Sequence, residues 1–174
     1  MKRLYILASL LLIGIFAIAQ EPVTKGTRKI PHIDIQDIQG NPFNTKDITN
    51  DGKPIIICFW ATWCKPCIKE LSAISDEYDD WVEETGVKLY AVSIDNSRSS
   101  KLVEPTVNGK GWEFDVLLDP NWDFKRAMNV GIPPFTLILK GDGEIVYEHT
   151  SYVDGNEYEY FDIIKKLSEG EEIH

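Results

Sequence analysis

From His32 to Ile38 the apolar residues Ile33, Ile35 and Ile38 give a short alternating pattern, a strand signal, and Gly40-Asn41-Pro42 marks a turn after it. Ile55-Ile56-Ile57-Cys58-Phe59-Trp60 is apolar without a break, as a strand buried on both faces must be, and Asp51-Gly52-Lys53-Pro54 leads into it. Beyond it Cys67, Leu71, Ile74, Tyr78 and Trp81 recur every three or four residues, the stripe of an amphipathic helix that Gly86 ends. Val87 to Ile94 predicts a second strand. Strand, helix and strand then make a crossover unit with parallel pairing.

Ser97 to Asn108 predicts a helix with a polar face, weakened by Pro105, and Gly111 to Leu118 a short extended segment. Asp119-Pro120 opens a short helix through Met128. Two alternating runs, Phe135 to Lys140 and Glu144 to His149, flank Gly141-Asp142-Gly143 and predict a hairpin. Asn156 to Leu167 closes the chain as a helix capped by Asn156, with Tyr160, Ile163, Ile164 and Leu167 on one side. No internal repeat or low-complexity segment interrupts the series. The fold class is α/β, a central mixed sheet with helices on both faces.

The ends modify this picture. Lys2 and Arg3 precede an apolar run from Leu4 to Ile18 that closes on Ala17-Ile18-Ala19, the form of a secretory signal peptide over residues 1–19. A run of about 15 apolar residues is short against the ~20 that span a bilayer, so a membrane enters only if the segment stays uncleaved. Residues 20–31 read as a linker and 32–174 as one domain. Cleavage near Ala19 removes two basic residues and no acid, taking the net charge from −10 to −12 and disfavouring nucleic acid or an anionic membrane as partner. A domain of this size buries about 70% of its unfolded surface without disulfide staples. An exported cysteine pair that the fold does not need is better suited to catalysis than to structure.

That pair is Cys64 and Cys67, in Phe59-Trp60-Ala61-Thr62-Trp63-Cys64-Lys65-Pro66-Cys67. Cys-x-x-Cys also occurs in zinc sites and haem attachment, but no second cysteine pair completes a four-ligand site, and residue 68 is Ile where haem attachment wants His. Cys64 is placed at the start of the helix, where unpaired N–H groups, the helix dipole and Lys65 favour a thiolate; such cysteines titrate at about 3.5 to 7.5. Pro66 suits the first turn, where its missing N–H costs nothing, and it returns Cys67 beneath Cys64. Cys64 is then the nucleophile and Cys67 the resolving thiol.

Trp-Cys-x-Pro-Cys after a Phe-Trp-Ala strand resembles the thioredoxin superfamily, and the order of segments over roughly residues 32 to 168 is similar to its secreted TlpA/ResA-type branch. The resemblance implies a thioredoxin fold and an exported, periplasmic thiol-disulfide oxidoreductase with no cofactor or metal. Such relatives are mostly reductants, some serving cytochrome c maturation. Implied partners are disulfide-containing envelope proteins and an upstream thiol-disulfide electron donor. Aligning Gly131-Ile132-Pro133 with the family's Gly-x-Pro makes Pro133 its cis-proline, although Pro134 stands where Thr is usual. The Ile132 backbone would then pair with substrate as an added strand, and Trp63 would flank the site; its other reading is a core aromatic.

Position 58, where many cytoplasmic thioredoxins hold a buried Asp, is Cys, read as a small core residue and alternatively as a third redox thiol. Glu70 matches the acid that ResA-like proteins carry after their cysteines; by spacing alone it is a solvated first-turn residue. His32, His149 and His174 lack ligand spacing. Two rivals stand beside this reading. A copper chaperone would use Cys64 and Cys67 as soft ligands, though no Met or His cluster supports it. A peroxidase of related fold would need a Pro-x-x-x-Thr-x-x-Cys signature, which is missing.

Overall fold

The computed structural model describes residues 28–173; the expected signal peptide over 1–19, residues 20–27 of the expected linker and His174 lie outside the described residues. Among those described, seven strands form one mixed sheet: β1 Asp34–Asp37, β2 Pro42–Asn44, β3 Gly52–Trp60, β4 Lys88–Ser93, β5 Asp115–Leu118, β6 Phe135–Gly141 and β7 Ile145–Thr150. Their spatial order is β2-β1-β5-β4-β3-β6-β7. The neighbours β3, β4 and β5 run parallel, and the other pairings are antiparallel. Four helices accompany them, α1 Lys65–Thr85, α2 Val103–Lys110, α3 Asp123–Ala127 and α4 Asn156–Ser168.

The unbroken apolar run is the middle of the sheet. β3 lies between β4 and β6, so both its backbone edges are paired, and every residue from Pro54 to Trp60 is buried. Alternation along it separates the two faces. Phe59 packs against Phe124 of α3, with ring centroids 5.1 Å apart, whereas Cys58 points toward groups of α1 and α4. The expected helices on both faces follow from that single alternation. α1 and α4 lie against each other, with Trp81 stacked on Phe161 and Lys165 ion-paired with Glu84.

Several elements differ from expectation, each for a local reason. Pro42 does not end the first strand region but opens β2, because the Asp37 carboxylate accepts from the Gln39 and Asn41 N–H groups and turns the chain back on itself. The helix expected over 97–108 divides into a 3-10 turn, Ser100–Leu102, and α2, with Pro105 in the first turn of α2, where no intrahelical donor is needed. The helix expected from Asp119 begins only at Asp123, since the Asp119 carboxylate reaches forward to the N–H groups of Phe124 and Lys125. Asn156 is not the cap of α4. Gly155, at φ 102°, takes the cap position, and Asn156 Oδ1 instead accepts from Val153 N.

Candidate active site

At the end of β3 the chain leaves the sheet at Ala61 and turns through Thr62 and Trp63 into α1. Cys64 is the N-cap of α1: its Sγ accepts from Cys67 N at 3.3 Å, its carbonyl accepts from Ile68 N, and its own N–H donates to Ala61 O at 3.0 Å. Pro66 sits in the first turn, as its fixed φ and missing donor allow, and Gly86 ends the helix in the left-handed region. Cys64 and Cys67 are joined as a disulfide with Cα atoms 5.3 Å apart. The helix start is less open than the sequence suggests: Cys64 is only 5% exposed and Cys67 not at all, so Cys64 is the sulfur nearer solvent.

Around that point apolar groups face outward. Trp63 is 61% exposed, which removes its reading as a core aromatic, and Ile132 is 83% exposed. A cleft of about 490 Å³ opens beside Trp63, between the turn before α1 and the segment leading into α2, with Leu102 and Pro105 on its far wall.

The cis assignment moves by one residue. The cis peptide bond joins Pro133 to Pro134, so Pro134, not Pro133, is the cis residue. The physical reason is the strand register: β6 begins at Phe135, paired with Phe59, and continuing that register sets Pro134 opposite Trp60 at the end of β3. Pro133 precedes the cis bond and, like Pro134, is buried. Having no N–H, it has only its carbonyl to give a passing strand.

Glu70, three residues after Cys67 on α1, is 1% exposed. Its Oε1 accepts from the hydroxyls of Thr136 at 2.8 Å and Tyr160 at 3.0 Å. Burial pushes its pKa up to about 7, against the two hydrogen bonds that favour the carboxylate. It is not the solvated helix residue that spacing alone suggests. Cys58 lies opposite Thr136 in the β3–β6 register, with its Sγ 3.5 Å from the same hydroxyl. That hydroxyl has one proton, so it donates to Glu70 or to Cys58 Sγ but not to both at once. Burial holds the Cys58 thiol well above its usual range, with the Glu70 charge adding to the effect.

The sequence reading brings Cys64, Cys67 and Glu70 to one end of α1 but misses the groups that hold them. Thr136 is the one polar side chain among the buried residues of β6, which is a usable signal. Tyr160 is legible only as part of an apolar face. His149, opposite Thr136 in the β6–β7 register, stacks on Tyr147 and meets Tyr160 edge-on. Among the described residues no group of three or more His, Cys, Asp or Glu side chains is arranged to hold a metal ion.

A family profile described as AhpC/TSA matches residues 27–148. The thiol-disulfide oxidoreductase ResA of Bacillus thuringiensis (strain Al Hakam) is 30% identical over 119 residues, 68% of this chain and 66%, just under two thirds, of that protein. ResA of Bacillus subtilis (strain 168) is 26% identical over 94% of both chains. In three dimensions the chain is similar to an uncharacterized thioredoxin-like protein from Porphyromonas gingivalis, with TM-score 0.73, 47% identity, and coverage of 83% of this chain and 95% of that one. With a mixed sheet of thioredoxin type and a Cys-x-x-Cys disulfide at the head of its first long helix, the chain belongs to the AhpC/TSA family and is similar to proteins named thiol-disulfide oxidoreductase ResA.

Proposed function

We propose that the protein is exported, is released near Ala19, and reduces disulfides of envelope proteins through Cys64 and Cys67. The observation that carries this reading is the Cys64–Cys67 disulfide at the N-terminus of α1, one turn ahead of a buried carboxyl that titrates near neutral pH. In the dithiol form the Cys64 thiolate, favoured by the helix start, attacks one sulfur of the partner's disulfide, and the other leaves as a thiolate. Cys67 then gives its proton to Glu70 and attacks Cys64 Sγ, releasing the partner's second sulfur. The pair loses two electrons and becomes the disulfide; the partner gains the two electrons and, from solvent and protein groups, two protons. An upstream dithiol protein restores the pair by the same exchange run backwards.

Trp63 and Ile132, the exposed apolar groups flanking the pair, receive the partner segment, and the carbonyl of Pro133 accepts a backbone hydrogen bond from it. The reductant direction and service to cytochrome c maturation are what the sequence resemblance around Trp63-Cys64-Lys65-Pro66-Cys67 implies. Turbidity from insulin reduction with a dithiol donor tests it. The parent should be active and Cys64→Ser inactive. Peroxide consumption, or stoichiometric Cu(I) binding, without disulfide exchange would overturn it.

A further inference from the structure

We propose that Asp95 is a positioning residue for Cys64, a role that rests on reading Cys64 as the nucleophile. The last sheet bond at this edge runs from Ile94 N to Trp60 O at 2.8 Å. Past it, Thr62 has neither strand nor helix to receive its N–H. Asp95 supplies both acceptors: Oδ2 takes the Thr62 N–H at 2.7 Å and Oδ1 takes the Thr62 hydroxyl at 2.7 Å. The carboxylate is itself fixed, because Ser93 Oγ donates to Oδ2 at 3.0 Å while accepting from Asp95 N at 3.1 Å. The strand end is held from a second side by Trp122, whose indole N–H donates to Ile94 O at 2.8 Å.

Asp95 is 1% exposed. A buried carboxylate is costly unless its lone pairs are met, and here three donors meet them. Two of those donors belong to the residue two places before Cys64. The Cys64 N–H in turn bonds Ala61 O across Thr62, so the orientation of the N-cap follows from where Thr62 is held. Through this chain of contacts the end of β4 sets the height of Cys64 Sγ over the free N–H groups of α1. A thiolate there depends on that alignment.

The test compares the full-length reduced protein with Asp95→Ala and Asp95→Asn. It reads the pH midpoint of thiolate ultraviolet absorbance and the rate of exchange with a small aromatic disulfide. Asp95→Ala frees the turn and should raise the Cys64 midpoint by about one unit and slow exchange about tenfold at neutral pH. Asn keeps an acceptor for Thr62 N and an amide group that the Thr62 hydroxyl can accept from, and should restore both readings to within about twofold. An Ala variant with a lowered melting temperature but parental midpoint and rate would make Asp95 a structural tie only. An Asn variant as impaired as Ala would show that keeping the partners of Thr62 does not preserve the alignment of Cys64, since loss of the charge alone would lower the midpoint. Either result overturns the proposal. If Asp95→Ala does not fold, Thr62→Val takes its place and should move the midpoint in the same direction; an unmoved midpoint counts against positioning. A parent unable to exchange with any disulfide would refute the functional reading instead, while the midpoints still test Asp95.

Discussion

A carboxyl group enclosed as Glu70 is, against β6 and α4 with two hydroxyls on one oxygen, keeps its proton into the neutral range because ionisation there forfeits hydration that two hydrogen bonds only partly replace. Its folded pKa of about 7 lies above the ordinary 4.5, so the folded chain binds more protons than the unfolded one between those values. The resulting stability is full below the ordinary value and is lost as pH rises through the folded one, up to roughly 3 kcal/mol. Denaturant unfolding across that window should show this fall in the parent and a fall smaller by that amount in Glu70→Gln. The same substitution removes a negative charge and a base near the thiols. It should lower the midpoint of thiol alkylation yet slow decay of a trapped Cys64 mixed disulfide in stopped flow; if neither moves, Glu70 is not the base. Cys58, enclosed by the same cluster, should resist iodoacetamide until unfolding, while reduced Cys64 is labelled first, as a digest read by mass spectrometry would show. The burial of Glu70 was partly legible: positions 67, 70, 71 and 74 share one face at helical spacing. An acid on an apolar face is ordinarily read as lying at its margin. What puts it inside is the pair of hydroxyls from distant segments, which no local pattern contains.

Elements followed the hydrophobic rhythm wherever both neighbours were regular, and departed where a side chain captured backbone donors. β3, α1, β4 and the β6–β7 hairpin are legible because burial imposes their periods of two and 3.6. β2, the late start of α3 and the cap of α4 are not, because Asp37, Asp119 and Asn156 each bond across a few residues in a way that either outcome would permit. The one-residue displacement of the cis bond has the same origin: two adjacent prolines satisfy one sequence pattern, and only the pairing of Phe135 with Phe59 distinguishes them. Pairing also makes a glycine indispensable. Gly141 faces Gly52 where the β3–β6 register shifts, and a Cβ there would collide with Gly52 backbone, which has no side chain to swing away. Gly141→Ala should therefore cost about 1–3 kcal/mol or more in urea unfolding. Gly109→Ala, in α2 with open space around it, should stabilise by about 0.5–1 kcal/mol. Equal effects at the two positions would refute the contact.

At the scale of the whole molecule the redox state and the fold are two sides of one thermodynamic cycle: whatever the fold adds to the stability of the disulfide, the disulfide adds to the stability of the fold. Closing so short a loop restricts the unfolded chain by only about 2 kcal/mol, and the core built on β3, β4 and β6 does not depend on it. The reduced chain should stay folded. The sign of the difference depends on what reduction does inside the site. It restores a fully buried Cys67 thiol one turn from Glu70 and gives back to the unfolded chain the freedom that the closed loop removes. Against this, the head of α1 stabilises a Cys64 thiolate, an effect of about 0.3–1 kcal/mol at exposed sites and up to ~2 when partly buried. With loop closure the larger of the two, the oxidised form is the more stable, and the folded pair is a stronger reductant than the same pair in the unfolded chain, by about 30 mV for each 1.4 kcal/mol. Guanidinium unfolding of the oxidised and the dithiol-reduced protein at neutral pH measures the gap directly. A higher midpoint for the oxidised form supports electron flow from this chain to its partners; a higher midpoint for the reduced form would make the pair an oxidant and reverse the proposed direction.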